Sequence, residues 1–424
     1  MGPLLLALFV PRLVQDSIDL HLASRYFQEA KNASDDVCAL WSKPLYGPMI
    51  FLDPASRFAV ANGPDREGQL IRRGDLWIGK MPPEIGAANT ARDWGGVHWT
   101  MVMWPLPSTT AERNMLLMHE CWHRIQDEIG LPGESKANAH LDKKDGRIWL
   151  RLEWRALSRG LTSWGPERVE SLTDALTFRA YRRAIFPTAA VEEDRMEVHE
   201  GMAEYSGVRS MGLGGFARRS YLSGRLKVNA LKPSYSYAFA YETGPAYGLL
   251  LDMDSKDWRT RLTPRSSLSD MLRSVAKIEF PHDIAKAARA RAGFYGGKEI
   301  VREEEARQRE TDAKLKLYRR LLVDGPVLEL PAPKLDYTFD PNEVVPFGEL
   351  GTVYPHLTLS DEWGILEASK GARLVVSART AYVSAPTSSD AASGDGWKLT
   401  LKPGWRVVPG SRKGDYRLER RPGS

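Results

Sequence analysis

The run His119-Glu120-Cys121-Trp122-His123 constrains this chain more than any other feature of it. On an α-helix, positions i and i+4 lie one above the other, so two imidazoles placed there can reach one metal ion. The intervening Glu120 projects round the side, where it can take a proton from water beside that ion. The flanking residues favour such a helix. Thr109 and Glu112 make a capping box, and Pro105 and Pro107 block helix upstream. Met115, Met118, Trp122, Ile125 and Ile129 recur at spacings of three and four, the stripe of an amphipathic helix that Gly130 and Pro132 end. His119 and His123 sit on one flank of that stripe. The pattern predicts a hydrolytic metal site with Glu120 as general base.

A chain of 424 residues is too long for one typical core, so two or three units are expected. The net charge of +5 is mild and its basic residues are scattered, without the clustered stripe or module that nucleic-acid binding needs. Two cysteines, Cys38 and Cys121, cannot form a disulfide framework, and Cys121 reads as a small buried apolar group. Leu4 to Val10 resembles a degraded secretory signal, which leans the expectation toward export, periplasmic or secreted. No segment has the length of a transmembrane helix.

Residues 16–41 read as a helix. Between 44 and 105 the pattern is one of short strands with turn punctuation: Pro48 to Leu52, Phe58 to Ala61, Leu76 to Gly79 and Val97 to Trp104. From 108 to about 325 the chain reads as mainly helical, with helices near 147–163, 166–186, 191–208, 234–252 and 299–322. The last is charged nearly all round, a solvated face. From 333 the texture turns to strands again (Tyr337 to Phe339, Gly364 to Glu367, Arg373 to Ser377, Trp397 to Leu401, Trp405 to Val408), which predicts a small β-sandwich or barrel behind a boundary at Pro331 and Pro333. The expected organisation is an N-terminal helical segment over 1–43, a main domain over 44–332 and an all-β domain over 333–424, α+β in class.

A hydrolytic zinc ion takes three protein ligands and leaves a fourth position for water. The candidates for the third are Glu200, Glu153 in Leu-Glu-Trp-Arg-Ala, and Asp142 ahead of a loop-like Lys-Lys-Asp-Gly. The segment Val198-His199-Glu200-Gly201-Met202-Ala203-Glu204-Tyr205 resembles the Glu-Gly-x-Ala helix of the gluzincin clan of zinc peptidases. That resemblance implies Glu200 as the third ligand and Glu204, one turn on, as the acid that holds a ligand histidine by its second nitrogen. Met196, His199 and Ala203 form a short apolar stripe that Glu200 and Glu204 flank together, and His199 reads as packing. A metzincin pattern is excluded, because Gln126 and Ile129 stand where that class has glycine and histidine. Asp142 falls at the spacing of the shortest-linked glutamate zincins. The stretch from His123 to Glu200 is longer than in compact members of the clan and has room for one or two inserted helices, which keeps Glu153 as an alternative ligand.

A third match is Tyr241-Glu242-Thr243-Gly244-Pro245-Ala246, which resembles the Tyr-Glu-Lys-Gly-Ala segment of the aminopeptidase branch; Thr243 and Pro245 depart from it. The resemblance covers roughly residues 95–255. It implies a zincin-like domain, a mixed sheet above the motif helix with a mainly helical lower part. It also implies one Zn²⁺, a peptide or protein substrate, and Tyr241 as a hydrogen-bond donor to the developing oxyanion. The strand 97–104 is expected beside the cleft, pairing with an extended substrate. The stretch Gly95-Gly96-Val97-His98-Trp99 lacks the acid that anchors a free amine in the aminopeptidase branch, which favours an endopeptidase. Two other classes fit the same residues: a non-catalytic zinc or peptide-binding module, which would not need Glu120, and a zinc hydrolase of non-peptide amides or esters.

Overall fold

Four consecutive apolar residues, Met49-Ile50-Phe51-Leu52, cannot alternate between core and water, and strand β1 (Met49–Leu52) is buried along its whole length. Met49 and Phe51 face one hydrophobic core, Ile50 and Leu52 a second on the opposite side of the sheet. The computed structural model describes residues 18–133, 135–339, 344–387 and 392–421, in two compact units that divide between Val301 and Arg302. The apolar run at Leu4 to Val10 lies outside the described residues. No helix among the described residues is long and apolar enough to cross a membrane. The fold is mixed α and β.

The first unit opens with α1 (Leu20–Asp35), capped by the Asp19 side chain, and continues into β1, β2 (Phe58–Ala61), β3 (Ile71–Arg73), β4 (Leu76–Lys80), β5 (Thr90–Trp94) and β6 (Val97–Met103). These form one sheet in the order β3-β4-β2-β1-β6-β5. β1 and β6 pair in parallel, with Phe51 opposite Val102, and the remaining pairs are antiparallel. α2 (Thr110–Ile125) comes next and packs against β5 and β6. α3 (Lys144–Thr162) and α4 (Gly165–Ile185) are the two inserted helices between the histidines and the acid-bearing segment, and α5 (Ala189–Met196) begins the helix expected at 191–208. A π-helical turn, Glu197–Gly201, joins α5 to α6 (Met202–Arg209). α7 (Gly215–Asn229), α8 (Ala240–Asp254), α9 (Leu268–Val275) and α10 (Ile284–Ala292) complete the unit, and α11 (Gly297–Arg319) runs across the division. The expected helix at 191–208 is therefore interrupted, and β3, β5, α7, α9 and α10 are elements the sequence pattern did not signal.

In the second unit a seven-stranded and a five-stranded sheet share one core. Leu328, Leu330 and Leu374 from one meet Leu359, Leu366 and Leu399 from the other. Its first strand, Val327–Pro331, pairs with Thr380–Ser384 and lies inside the seven-stranded sheet. The expected boundary at 333 would have cut that strand off. Backbone pairing places the division earlier.

Two features of the first unit fix the helices around α2. Gly201 and Gly244 bring the π turn and α8 into backbone contact. A Cβ on Gly244 would lie 2.3 Å from the Gly201 Cα, and one on Gly207 would lie 2.4 Å from the Met115 carbonyl oxygen of α2. A charge network buried from water ties α3, α4 and α5 to the π turn. Arg179 grips Glu197 at 2.8 and 2.5 Å and Glu153 at 2.8 Å, while Arg182 joins Glu153 to Glu193. Burial pushes the Glu193 and Glu153 carboxyls up, but Arg182, Arg179 and their neighbours outweigh it and hold both below the usual range.

Gly244→Ala should lower thermal stability by about 1–3 kcal/mol, the usual cost of overpacking, because backbone and not a pliable side chain must move. Calorimetric unfolding measures this. For the charge network, carboxyls with lowered folded pKa values stabilise fully above about pH 4.5 and lose that contribution as pH falls through the folded values. The melting temperature should therefore drop steeply below about pH 4, and Glu193→Gln should show a shallower acid limb.

Candidate metal centre

The Thr109 half of the predicted capping box forms: its hydroxyl accepts from the Glu112 backbone N–H and donates to the Glu112 carboxylate at 2.7 Å. Leu117, Met118, Cys121, Trp122 and Ile125 are buried along α2, which turns His119, Glu120 and His123 toward α6 and α8. His119 Nε2 and His123 Nε2 lie 3.2 Å apart, and Glu200 Oε2 lies 3.6 and 3.5 Å from them. One ion about 2.0–2.1 Å from three tetrahedral N and O ligands requires those atoms to be about 3.3–3.4 Å from each other. The spacing matches.

Proton placement gives an independent test of fit. His119 Nδ1 lies 2.8 Å from Glu204 Oε2, and a carboxylate only accepts, so Nδ1 carries the proton. His123 Nδ1 donates to Gln126 Oε1 at 3.2 Å. Both Nε2 atoms therefore present bare lone pairs to each other and to a carboxylate oxygen. Three electron-rich atoms meet in a pocket where His119 is 6% and Glu200 8% exposed, an arrangement that a cation between them would relieve. With only a proton to fill that role, burial lowers the His119 pKa, but hydrogen bonds to Glu200 and Glu204 overcome it and raise it to about 10. Among the described residues, His119, His123 and Glu200 are the group able to hold a metal.

The surrounding contacts fix each ligand. Glu200 accepts from the Tyr241 hydroxyl at 2.6 Å through Oε2, and from Ser135 through Oε1. Burial would raise the Glu200 pKa, but the two histidines and Ser135 hold it well below the usual range. Glu204 is pulled down to about 2, burial being outweighed by His119 and by Arg225, which bonds its Oε1 at 2.6 Å. Glu120, 5% exposed, is pushed up chiefly by burial. The Tyr241 ring stacks on His119 with centroids 5.5 Å apart and planes 7° apart, and burial with Glu200 raises its hydroxyl pKa.

The π turn accounts for how one helical stretch serves two purposes. At about 100° per residue, an unbroken α-helix would gather Glu193, Glu197, Glu200 and Glu204 within about 60° on one face. A π turn inserts one extra residue and rotates the downstream side chains about the axis. Glu193 and Glu197 meet the arginines, and Glu200 and Glu204 meet the histidines.

The other sequence-derived candidates lie elsewhere. Glu153 is fully buried with Arg179, Arg182 and the Tyr247 hydroxyl as donors, so its carboxylate is saturated as a structural hub. Asp142 accepts from Ser234 Oγ at 2.6 Å and the Tyr235 N–H at 2.7 Å, anchoring the turn before α8. His199 is closer to the site than a packing role suggests. Its Nδ1 shares the Gln126 oxygen at 3.1 Å, and its Nε2 lies 3.5 Å from Glu200 Oε1. Burial, with His123 nearby, lowers its pKa to about 4. The strand expected at the cleft edge, β6, is enclosed between β1 and β5, and the edge belongs to β5. Gln126, Ser135 and Arg225 went unread in the sequence. Gln126, three residues after His123 on the same helix, was the one with a positional signal.

No known family, no curated protein and no solved structure compared with this chain matches it.

Purified protein should bind about one Zn²⁺ per chain, and Glu200→Ala should lose most of that uptake. Glu153→Ala should retain it while losing about 3–5 kcal/mol of stability, because it takes from Arg179 and Arg182 a buried carboxylate that compensates both. Metal analysis beside thermal melts separates the two.

Proposed function

We propose that this chain is a zinc-dependent peptidase with a zincin-like first unit, in which the mixed sheet lies over α2 and helices α6 and α8 close the site from the other side. The observation that carries the reading is the meeting of His119 Nε2, His123 Nε2 and Glu200 Oε2 within 3.6 Å, beside an acid one residue from the first ligand. Bound Zn²⁺ supplies Lewis acidity and lowers the pKa of a water toward about 7. Glu120, its pKa raised by burial, accepts the proton of the attacking water and passes it to the leaving amine. Tyr241 sits within 2.6 Å of the ligand carboxylate and turns its hydroxyl to the oxyanion as the carbonyl becomes tetrahedral. Glu204 keeps the His119 lone pair on the metal side. The edge strand β5, packed against α2, offers unpaired backbone to an extended peptide, which favours internal cleavage of a polypeptide.

Wild-type protein should hydrolyse unfolded casein and stop when a chelator removes the metal. Glu120→Gln should retain its zinc and lose at least 10²-fold in kcat, the range for removing a general base. Near-normal turnover by that variant would remove Glu120 from the chemistry. Inactivity on casein with turnover of a small ester would instead favour a hydrolase of non-peptide substrates.

A further inference from the structure

Helix α7 contributes no residue to the ligand set, yet one of its side chains touches α2, α6 and α8 around it. Arg225 Nη1 donates to Glu204 Oε1 of α6 at 2.6 Å and lies 3.6 Å from Met115 Sδ of α2. Its Nη2 donates to the Tyr241 carbonyl at 3.1 Å and to Glu242 Oε1 at 2.8 Å, both on α8. Asn229, one turn further along α7, also donates to Glu242 Oε1. The two nitrogens of one planar fork therefore hold two different branches of the site. Through Glu204, one branch orients His119. Through the Tyr241 backbone, the other sets the hydroxyl that bonds Glu200.

Charge makes the fork hard to replace. Glu204 is 6% exposed and Glu242 is fully buried, so each carboxylate relies on this guanidinium for compensation. Were it removed, the Glu204 carboxylate would be free to rotate, and the His119 Nδ1 proton would lose its acceptor. A lysine would keep the charge but present one nitrogen, which cannot span Glu204 and α8 together.

We propose that Arg225 is a positioning residue of the metal centre, fixing the His119 tautomer and the Tyr241 hydroxyl together without touching metal or substrate. The assignment rests on the zinc reading of His119, His123 and Glu200.

The test uses full-length protein and two probes, Zn²⁺ affinity by competition with a chromophoric chelator and the visible spectrum of the Co²⁺-substituted form. Arg225→Lys should weaken Zn²⁺ binding ~10-fold or more, the usual effect of disturbing a partner of a metal-bound imidazole, and shift the Co²⁺ bands. Its far-ultraviolet circular dichroism should match wild type. Arg209→Lys, which disturbs a comparable cluster around Tyr205 and Asp252, should leave both readouts unchanged. If Arg225 acts through Glu204, the losses in Arg225→Lys and Glu204→Gln should be strongly non-additive in the double variant. Should Arg225→Lys fail to fold, Glu242→Gln loosens the same fork from its far side and should weaken Zn²⁺ binding in the same direction. Wild-type affinity and an unshifted Co²⁺ spectrum in Arg225→Lys, or in Glu242→Gln where that variant stands in, would overturn the assignment alone. A wild-type chain that binds no Zn²⁺ would overturn the metal reading and this assignment with it.

Discussion

Two imidazole lone pairs and a carboxylate oxygen repel one another when they converge away from water, and here they converge to within 3.6 Å. Much of the first unit serves to hold that arrangement against its own repulsion. The stripe of α2 buries Leu117, Cys121 and Trp122 so that the histidine flank cannot turn outward. Gly201 and Gly207 let the acid-bearing segment approach α8 and α2 at backbone distance. The arginine network anchors that segment at its other end, through Glu197. Each of these contacts has a cost, and the cation proposed for the centre would make them mutually favourable.

The outer contacts divide by chemistry. Pure acceptors, Glu204 and the Gln126 oxygen, face the Nδ1 atoms and so dictate where the imidazole protons reside. Donors, Ser135 and Tyr241, face the ligand carboxylate. This pairing of acceptors with imidazoles and donors with carboxylate leaves His119, His123 and Glu200 each with a lone pair aimed inward, so the proposed cation would bind with little reorientation.

How much could be read from the sequence depends on how local each signal is. The α2 helix, its capping box and the histidine pair are set by residues within one or two turns, and their pattern is explicit. Glu200 and Glu204 drew notice through the Glu-Gly-x-Ala-Glu resemblance, and the π turn that carries Glu200 was not legible in that pattern. By contrast, β5 is Thr-Ala-Arg-Asp-Trp, and charged residues at a sheet edge hide a strand from any test of alternation. α7 buries only Leu222, Ser223 and Leu226 and contains Gly224, so it shows almost no stripe, and Arg225 was invisible with it. Glu153 was a reasonable ligand candidate by spacing. Only tertiary structure reveals the two arginines that claim it. The start of the β unit was misplaced because Val327–Pro331 ends in the proline that looked like a boundary.

The π turn at Glu197–Gly201 couples sequence spacing to helix geometry. Straightening it to α geometry at the present length would turn every side chain downstream by about 100° and aim all four acids at one neighbour. Taking out the extra residue together with the turn would leave both pairs of acids facing as they do now. The spacing between Glu197 and Glu200 and the π geometry are therefore coupled, and neither can change alone without breaking the site.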